Sequence, residues 1–258
     1  MAPRRMLAFV LKTQDYRDTS LLGAFYTRDS GKIKAIVKGG RDARGRYGST
    51  LEPFSLNEIL LYERKRGDLH LVTGVELVDR FEPLRRDVDR VGCAAYFLEL
   101  VDQMTDAGGP AAEIFGLLRQ ALSEMAAGLD PHRAARVFEV KLMKELGFMP
   151  ELDGCVRCGN EAAESSPGPV ASDRYFSVGS GGIVCRDCRS GEGPLIALSG
   201  KTEAFLKTAR DAEFRAAVEA PLAPEAEEKA RRLLRQFVDH HLAYKPKSLI
   251  FLEKLAAS

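Results

Sequence analysis

Four cysteines stand as Cys155-x-x-Cys158 and Cys185-x-x-Cys188, with 26 residues between the pairs. Two such knuckles match the tetrahedral, four-sulfur preference of zinc. Each short loop can aim both of its sulfurs at one ion, and Gly154 and Gly159 flank the first pair where the chain must turn tightly. A site closed by four thiolates has no position left for water or substrate, so one structural Zn2+ per chain is expected. Two redox-active pairs, two disulfides, or a metal-free relic of the knuckles are the other readings of the same spacing. The fifth cysteine, Cys93, falls in an apolar helical run and reads as a core residue. An odd count with zinc-like spacing points to a reducing cytoplasm. The apolar run Met6–Leu11 is too short for a secretory signal, and no stretch reaches the length of a membrane span.

The net charge of +1 hides an asymmetry. Residues 1–80 hold 15 Lys and Arg against 10 Asp and Glu, and residues 81–258 carry a balance of −4. An anionic partner is therefore expected for the N-terminal part. That part reads as β: Met6–Leu11, Ser20–Thr27, Ile33–Lys38, Phe54–Tyr62 and Leu69–Val78, with turns at Asp29-Ser-Gly31 and Arg66-Gly67-Asp68. Five short strands without a long helix suit a small barrel, with an OB-fold as the leading candidate and an SH3-like barrel as the alternative.

The remainder switches period. Apolar stripes predict a helix around Ala94–Val101, a second through Ile114–Met125, and a third opened by Asp130-Pro131 and stopped by Gly147. After the knuckles, Ser199 caps a helix expected over Lys201–Ala220, and Pro224 opens a last helix. Glu227 and Glu228 sit four residues before Arg231 and Arg232 there, so this basic run reads as a paired, solvated face. The expected architecture is α+β and multi-domain: residues 1–80 an OB-fold DNA-binding domain, 81–150 the first part of a helical bundle, 151–193 an embedded four-cysteine zinc-finger insertion, and 194–258 the second part of the helical domain.

The second strong feature is the run from Arg28 to Arg46, with seven Lys or Arg against Asp29 and Asp42. Strand alternation places Lys32, Lys34 and Lys38 on one face and Ile33, Ala35 and Val37 on the other. A glycine-rich loop bearing Arg41, Arg44 and Arg46 follows. Such a surface can track a phosphate backbone without reading bases, with Tyr26 and Tyr47 available to stack. A solvated charged loop is the plainer alternative. No catalytic set is present: His240 and His241 diverge by about 100° on a helix. H-E-x-x-H and G-x-S-x-G are missing. The Gly179–Gly182 turn lacks the Lys-Ser/Thr of a phosphate loop.

An ordered set of segments resembles the bacterial RecO family of recombination mediators. It comprises Phe9-Val-Leu-Lys-Thr-Gln-Asp-Tyr16, Tyr26-Thr-Arg-Asp-Ser-Gly-Lys32, Lys38-Gly-Gly-Arg41, Pro53-Phe54, Phe148-Met-Pro-Glu-Leu-Asp-Gly-Cys155, Gly181-Gly182 before Cys185, and Lys245-Pro-Lys-Ser-Leu-Ile-Phe-Leu252. The resemblance implies an N-terminal OB-fold, a helical bundle and an embedded zinc finger. It implies a non-enzymatic, nucleoid-associated cytoplasmic protein that binds single- and double-stranded DNA and anneals complementary strands. With RecR as partner, such proteins promote RecA loading on DNA coated by single-strand-binding protein, whose acidic C-terminal tail they contact. By position, Lys34, Lys38 and Arg41 fall on the DNA-binding face, and the helical region with Arg133 and Arg136 is a candidate for the tail. A zinc-ribbon RNA-binding or transcription protein, and a zinc-dependent enzyme, are the rival classes.

Overall fold

The five apolar runs of the first 80 residues become β1 (Arg4–Tyr16), β2 (Ser20–Thr27), β3 (Gly31–Val37), β4 (Leu56–Tyr62) and β5 (Leu69–Asp79). They close a barrel in the order β1-β2-β3-β5-β4. Every neighbouring pair is antiparallel except β3 with β5, where Lys34 faces Leu69. That closure is the OB arrangement and not the SH3-like alternative. Alternate residues fill the interior: Met6, Ala8 and Val10 from β1, Phe25 from β2, Ile33, Ala35 and Val37 from β3, Ile59 and Leu61 from β4, and Val72 from β5. β1 runs past its apolar stretch to Tyr16, because its exposed polar residues still pair backbone to backbone with β2. A bulge between Val10 and Lys12 bends it around the barrel. The β2–β3 turn ends on Gly31 at φ +63°, and the Thr27 hydroxyl closes it onto the Gly31 carbonyl at 3.0 Å.

The computed structural model describes residues 3–41, 47–64, 67–106, 111–160 and 174–256. The chain divides into two compact units, Met1–Pro131 with Lys245–Ser258, and His132–Tyr244. In the first, α1 (Val88–Met104) is capped by the Asp87 side chain, which accepts from the Arg90 amide. α2 (Ala111–Ala126) buries Ile114, Leu117, Leu118, Ala121, Leu122 and Met125, the stripe expected from the sequence. The outer face of β1 is covered here, with the Phe9 ring centroid 5.0 Å from Phe115 and 6.2 Å from Phe81.

The second unit starts with α3 (Pro131–Glu145). Gly147 at φ +76° ends it as the sequence implies, with Phe148 N–H on the Met143 carbonyl and Gly147 N–H on Lys144. A three-stranded ribbon follows, β6 (Arg174–Ser177), β7 (Gly182–Cys185) and β8 (Leu195–Ala197), in the order β7-β6-β8.

Two expectations need correction. The helix expected over Lys201–Ala220 is two helices, α4 (Gly200–Asp211) and α5 (Phe214–Glu219). Side chains of α3 supply the reason: Lys141 donates to the Ala212 carbonyl at 2.6 Å and Lys144 to the Arg210 carbonyl at 3.2 Å. Those bonds satisfy carbonyls that a continuing helix would have used. Nor is α6 (Pro224–His241) the last helix, because α7 (Lys247–Ala256) follows and belongs to the first unit. There Glu99 of α1 accepts from both the amide and the hydroxyl of Ser248, at 2.9 and 2.6 Å. A Cβ on Gly92 would lie 2.5 Å from Leu252 Cδ2, so α1 and α7 pack closely at this glycine and a larger residue would displace the leucine.

Candidate metal centre and nucleic-acid surface

The two knuckles bring their sulfurs together. All four Sγ atoms of Cys155, Cys158, Cys185 and Cys188 lie within 4.8 Å of one another, with Cys158 and Cys185 at 3.9 Å. Backbone bonds set this geometry. Gly159, at φ +71°, donates to the Cys155 carbonyl at 2.8 Å, and Val156 donates to Ile183 at 2.8 Å, tying one knuckle to the other.

The Cys185 amide also donates to Cys155 Sγ at 3.4 Å. Burial alone would push the Cys155 thiol up. Hydrogen bonds from the backbone of Cys185, Cys158 and Arg157 outweigh it and bring the thiol down to about 6. Cys188 is pushed up to about 12 by sharing hydrogen bonds with Cys185 and then Cys158. Cys155 is thus the readily ionised sulfur of the quartet and Cys188 the one that holds its proton until a cation competes for it, which is the chemistry of a soft metal ligand set. Four cysteines in this arrangement can hold a metal ion, and zinc fits them.

An ion-pair chain braces the first knuckle against α4. Asp153 meets Arg210 at 2.7 Å and Lys207 at 3.2 Å, Lys207 meets Glu203 at 3.1 Å, and Glu203 meets Arg174 of β6 at 2.7 Å. The Arg210 hydrogen bond, more than Lys207, holds the Asp153 carboxyl below its ordinary range. Sequence reading missed this support. Its one local signal was an acid two residues before Cys155.

The basic run of β3 separates into distinct environments. Lys34 and Lys38 are exposed, and no described residue pairs with either. Arg41 is exposed but held, donating to the carbonyls of Arg17 and Asp18 at 2.9 and 3.2 Å and pairing with Asp15 at 3.0 Å. Lys32 is turned to the end of α1, donating to the carbonyls of Asp102 and Thr105 and pairing with the Asp102 carboxylate at 3.3 Å. A cation there complements the negative end of the helix. Arg44 and Arg46 lie outside the described residues.

The two tyrosines expected to stack on bases are both buried. Tyr26 lies on the helix-covered face, and burial, with Glu113 nearby, pushes its phenol up to about 12. Tyr47 is part of the barrel cluster, with its hydroxyl on the Thr73 carbonyl at 2.9 Å. Elsewhere Arg231 and Arg232 both pair with Glu228, and Arg235 pairs with Asp239. Glu227 reaches Arg133 at 3.4 Å. Arg133 also donates to the carbonyls of Val218, Ala220 and Leu222, and Arg136 pairs with the buried Glu139.

The environment of Lys32 makes a prediction. Lys32→Ala leaves two carbonyls and part of a carboxylate without their donor, and should lower unfolding stability by about 1–3 kcal/mol. Urea denaturation would measure it. No loss of stability would mean that the helix end needs no cation.

Comparison with known proteins decides the family. Residues 1–81 match the family described as Recombination protein O N terminal, and residues 85–250 match Recombination protein O C terminal. The chain belongs to the RecO family. It is 35% identical to the DNA repair protein RecO of Anaeromyxobacter sp. (strain K) over 251 residues, covering 97% of this chain and 96% of that one. It is 31% identical to the RecO of Syntrophus aciditrophicus (strain SB), covering 98% and 96%, and 31% identical to that of Myxococcus xanthus (strain DK1622), covering 96% of each. RecO is a DNA repair and recombination family, and the barrel and cysteine ribbon of this chain are placed within it from end to end. Among the described residues no helix is long and apolar enough to cross a membrane.

Proposed function

We propose that this RecO chain is a nucleoid-associated cytoplasmic mediator that binds single- and double-stranded DNA and anneals complementary strands. With RecR it promotes RecA loading on DNA coated by single-strand-binding protein, contacting the acidic tail of that protein. The observation that carries the reading is the exposed pair Lys34 and Lys38 on an OB barrel, in a chain that matches the RecO family along its length. These two lysines and Arg41, with Arg44 and Arg46 that follow them in sequence, form the DNA contact. Lys32, on the same face of the strand, supports it by fixing the strand against α1. The mechanism is charge neutralisation: cations on the barrel screen the phosphates of two strands so that base pairing can proceed. No covalent bond is made or broken.

Cys155, Cys158, Cys185 and Cys188 would hold one Zn2+, whose role is to pin the two knuckles together. A four-thiolate shell leaves no place for a reacting water, which speaks against the zinc-enzyme alternative. The RNA-binding alternative draws its affinity from exposed aromatic rings, and burial of Tyr26 and Tyr47 takes away two of them.

A strand-annealing time course at several salt concentrations, with and without ATP, tests the proposal. Annealing should be accelerated without nucleotide. Affinity should fall with salt at a log–log slope of about −0.7 per phosphate contact on single strands. Strict ATP dependence, or no acceleration at low salt, would overturn it.

A further inference from the structure

A cavity of about 670 Å3 opens in the second unit between the ribbon and α6. Its size falls within the roughly 300–1,000 Å3 of small-molecule sites. One wall is the ribbon's two turns, with Ser180, Gly193 and Glu192, and the other is α6, with Gln236, Asp239 and His240. Neither the metal quartet nor the barrel uses it.

The chemistry of the lining selects a ligand. Glu192 is the built element: its side chain is 4% exposed, with Oε1 accepting from Arg157 and Oε2 from Ser177 and Ser180 at 2.8 and 2.7 Å. A carboxylate has about four acceptor positions, so Oε1 retains one for an N–H from a ligand. The Gln236 amide adds a donor and an acceptor. Gly179, Gly191 and Gly193 contribute bare peptide planes, which leaves the walls flat. The half-exposed Arg157 guanidinium and the His240 ring offer faces for stacking. The lining offers no spare cation for a phosphate: Arg157, its one arginine, is already paired with Glu192, and its other carboxylate, Asp239, is paired with Arg235.

We propose that this cavity takes one unpaired base of a single strand, edge toward Glu192 and Gln236, with its sugar and phosphate left outside. The inference rests on the DNA-binding reading above and adds to it a second contact point, remote in sequence from the basic strand. Each of the four bases carries an N–H on its edge or a π-face to stack, so capture would be tolerant of sequence, as annealing requires.

The structure supplies the test variants. A Cβ built on Gly179 or Gly193 meets no heavy atom within 4 Å, and neither residue has positive φ. Gly193→Leu and Gly179→Leu therefore add a bulky side chain to the cavity lining without strain on the fold, and each checks the other. Amide NMR of the zinc-loaded full chain would be recorded with the four deoxynucleosides, and separately with 2-deoxyribose 5-phosphate. Nucleosides should shift the amides of 177–180 and 191–193, the sugar phosphate should not, and both variants should abolish the response. Single-strand affinity should fall about fivefold or more in the variants, as expected for one lost stacked base, while affinity for an abasic strand stays unchanged. A stronger response to the sugar phosphate, no response to nucleosides, or equal loss on the abasic strand would overturn the proposal. Failure of nucleosides alone leaves barrel binding standing, whereas nucleoside capture without single-strand binding would sink the DNA-binding reading instead.

Discussion

Cys158→Ser is expected to abolish stoichiometric metal binding and to loosen the ribbon, while the wild-type chain carries one zinc. A serine hydroxyl is a poor substitute for a thiolate, and three sulfurs cannot close a tetrahedron. Structural zinc contributes roughly 10–16 kcal/mol of apparent binding energy in peptides that fold only with metal. Here part of the ribbon stands on other contacts, such as the edge-on packing of Phe176 against Phe237 at 5.5 Å, so the loss should be smaller. A fall in melting temperature of about 5–10 °C is expected, which corresponds to a few kcal/mol in a chain of this size. Hydrogen exchange should rise over residues 174–197. Cys155→Ser should be worse, because Cys155 is buried and accepts the Cys185 amide. Zinc affinity should weaken as pH falls, since every sulfur must lose its proton to bind. Native mass spectrometry showing a metal-free wild type of equal stability would refute the zinc assignment.

The second large effect is on DNA. The double change Lys34→Glu with Lys38→Glu should lower single-strand affinity about tenfold or more at moderate salt. It should flatten the log–log salt slope by about 1.4, two contacts at about 0.7 each. Both side chains point into solvent, so the melting temperature should hardly move. Adding Arg41→Glu and Arg44→Glu should deepen the loss. Reversing Arg231, Arg232 and Arg235 should matter much less, because each already faces an acid on its own helix. If that second set proves the more damaging in a salt-titrated binding assay, the DNA contact is not on the barrel. Lys32→Glu separates the two kinds of lysine, since its main cost should be stability.

The cysteine quartet was legible because a C-x-x-C knuckle is local. Its loop geometry places two sulfurs wherever the rest of the chain goes, and two such loops in one chain have one natural partner. The barrel strands were legible for a similar reason: alternation is a property of neighbours, and the interior residues of β3 are the ones the period selects. The helix cap at Ser199 and the stop at Gly147 are also local, whereas the cap at Asp87 went unread because the apolar stripe of its helix begins several residues further on.

Which cations are free was another matter. Lys32 and Lys34 stand two residues apart on one face of one strand. One closes the end of α1 from more than 70 residues away, and the other meets water. The same use of basic side chains recurs where Arg90 closes α2 at Met125, Lys141 and Lys144 end α4, and Arg133 gathers the carbonyls after α5. Each of these bonds joins a side chain to carbonyls that a helix leaves open, and which helix ends lie within reach depends on packing. From the order of its residues alone, this chain determines an OB barrel, amphipathic helices and a four-cysteine ribbon. Tertiary structure alone decides which of its lysines and arginines are left facing solvent, because a helix end attracts a cation as a phosphate does, and only distance in the folded state selects between them.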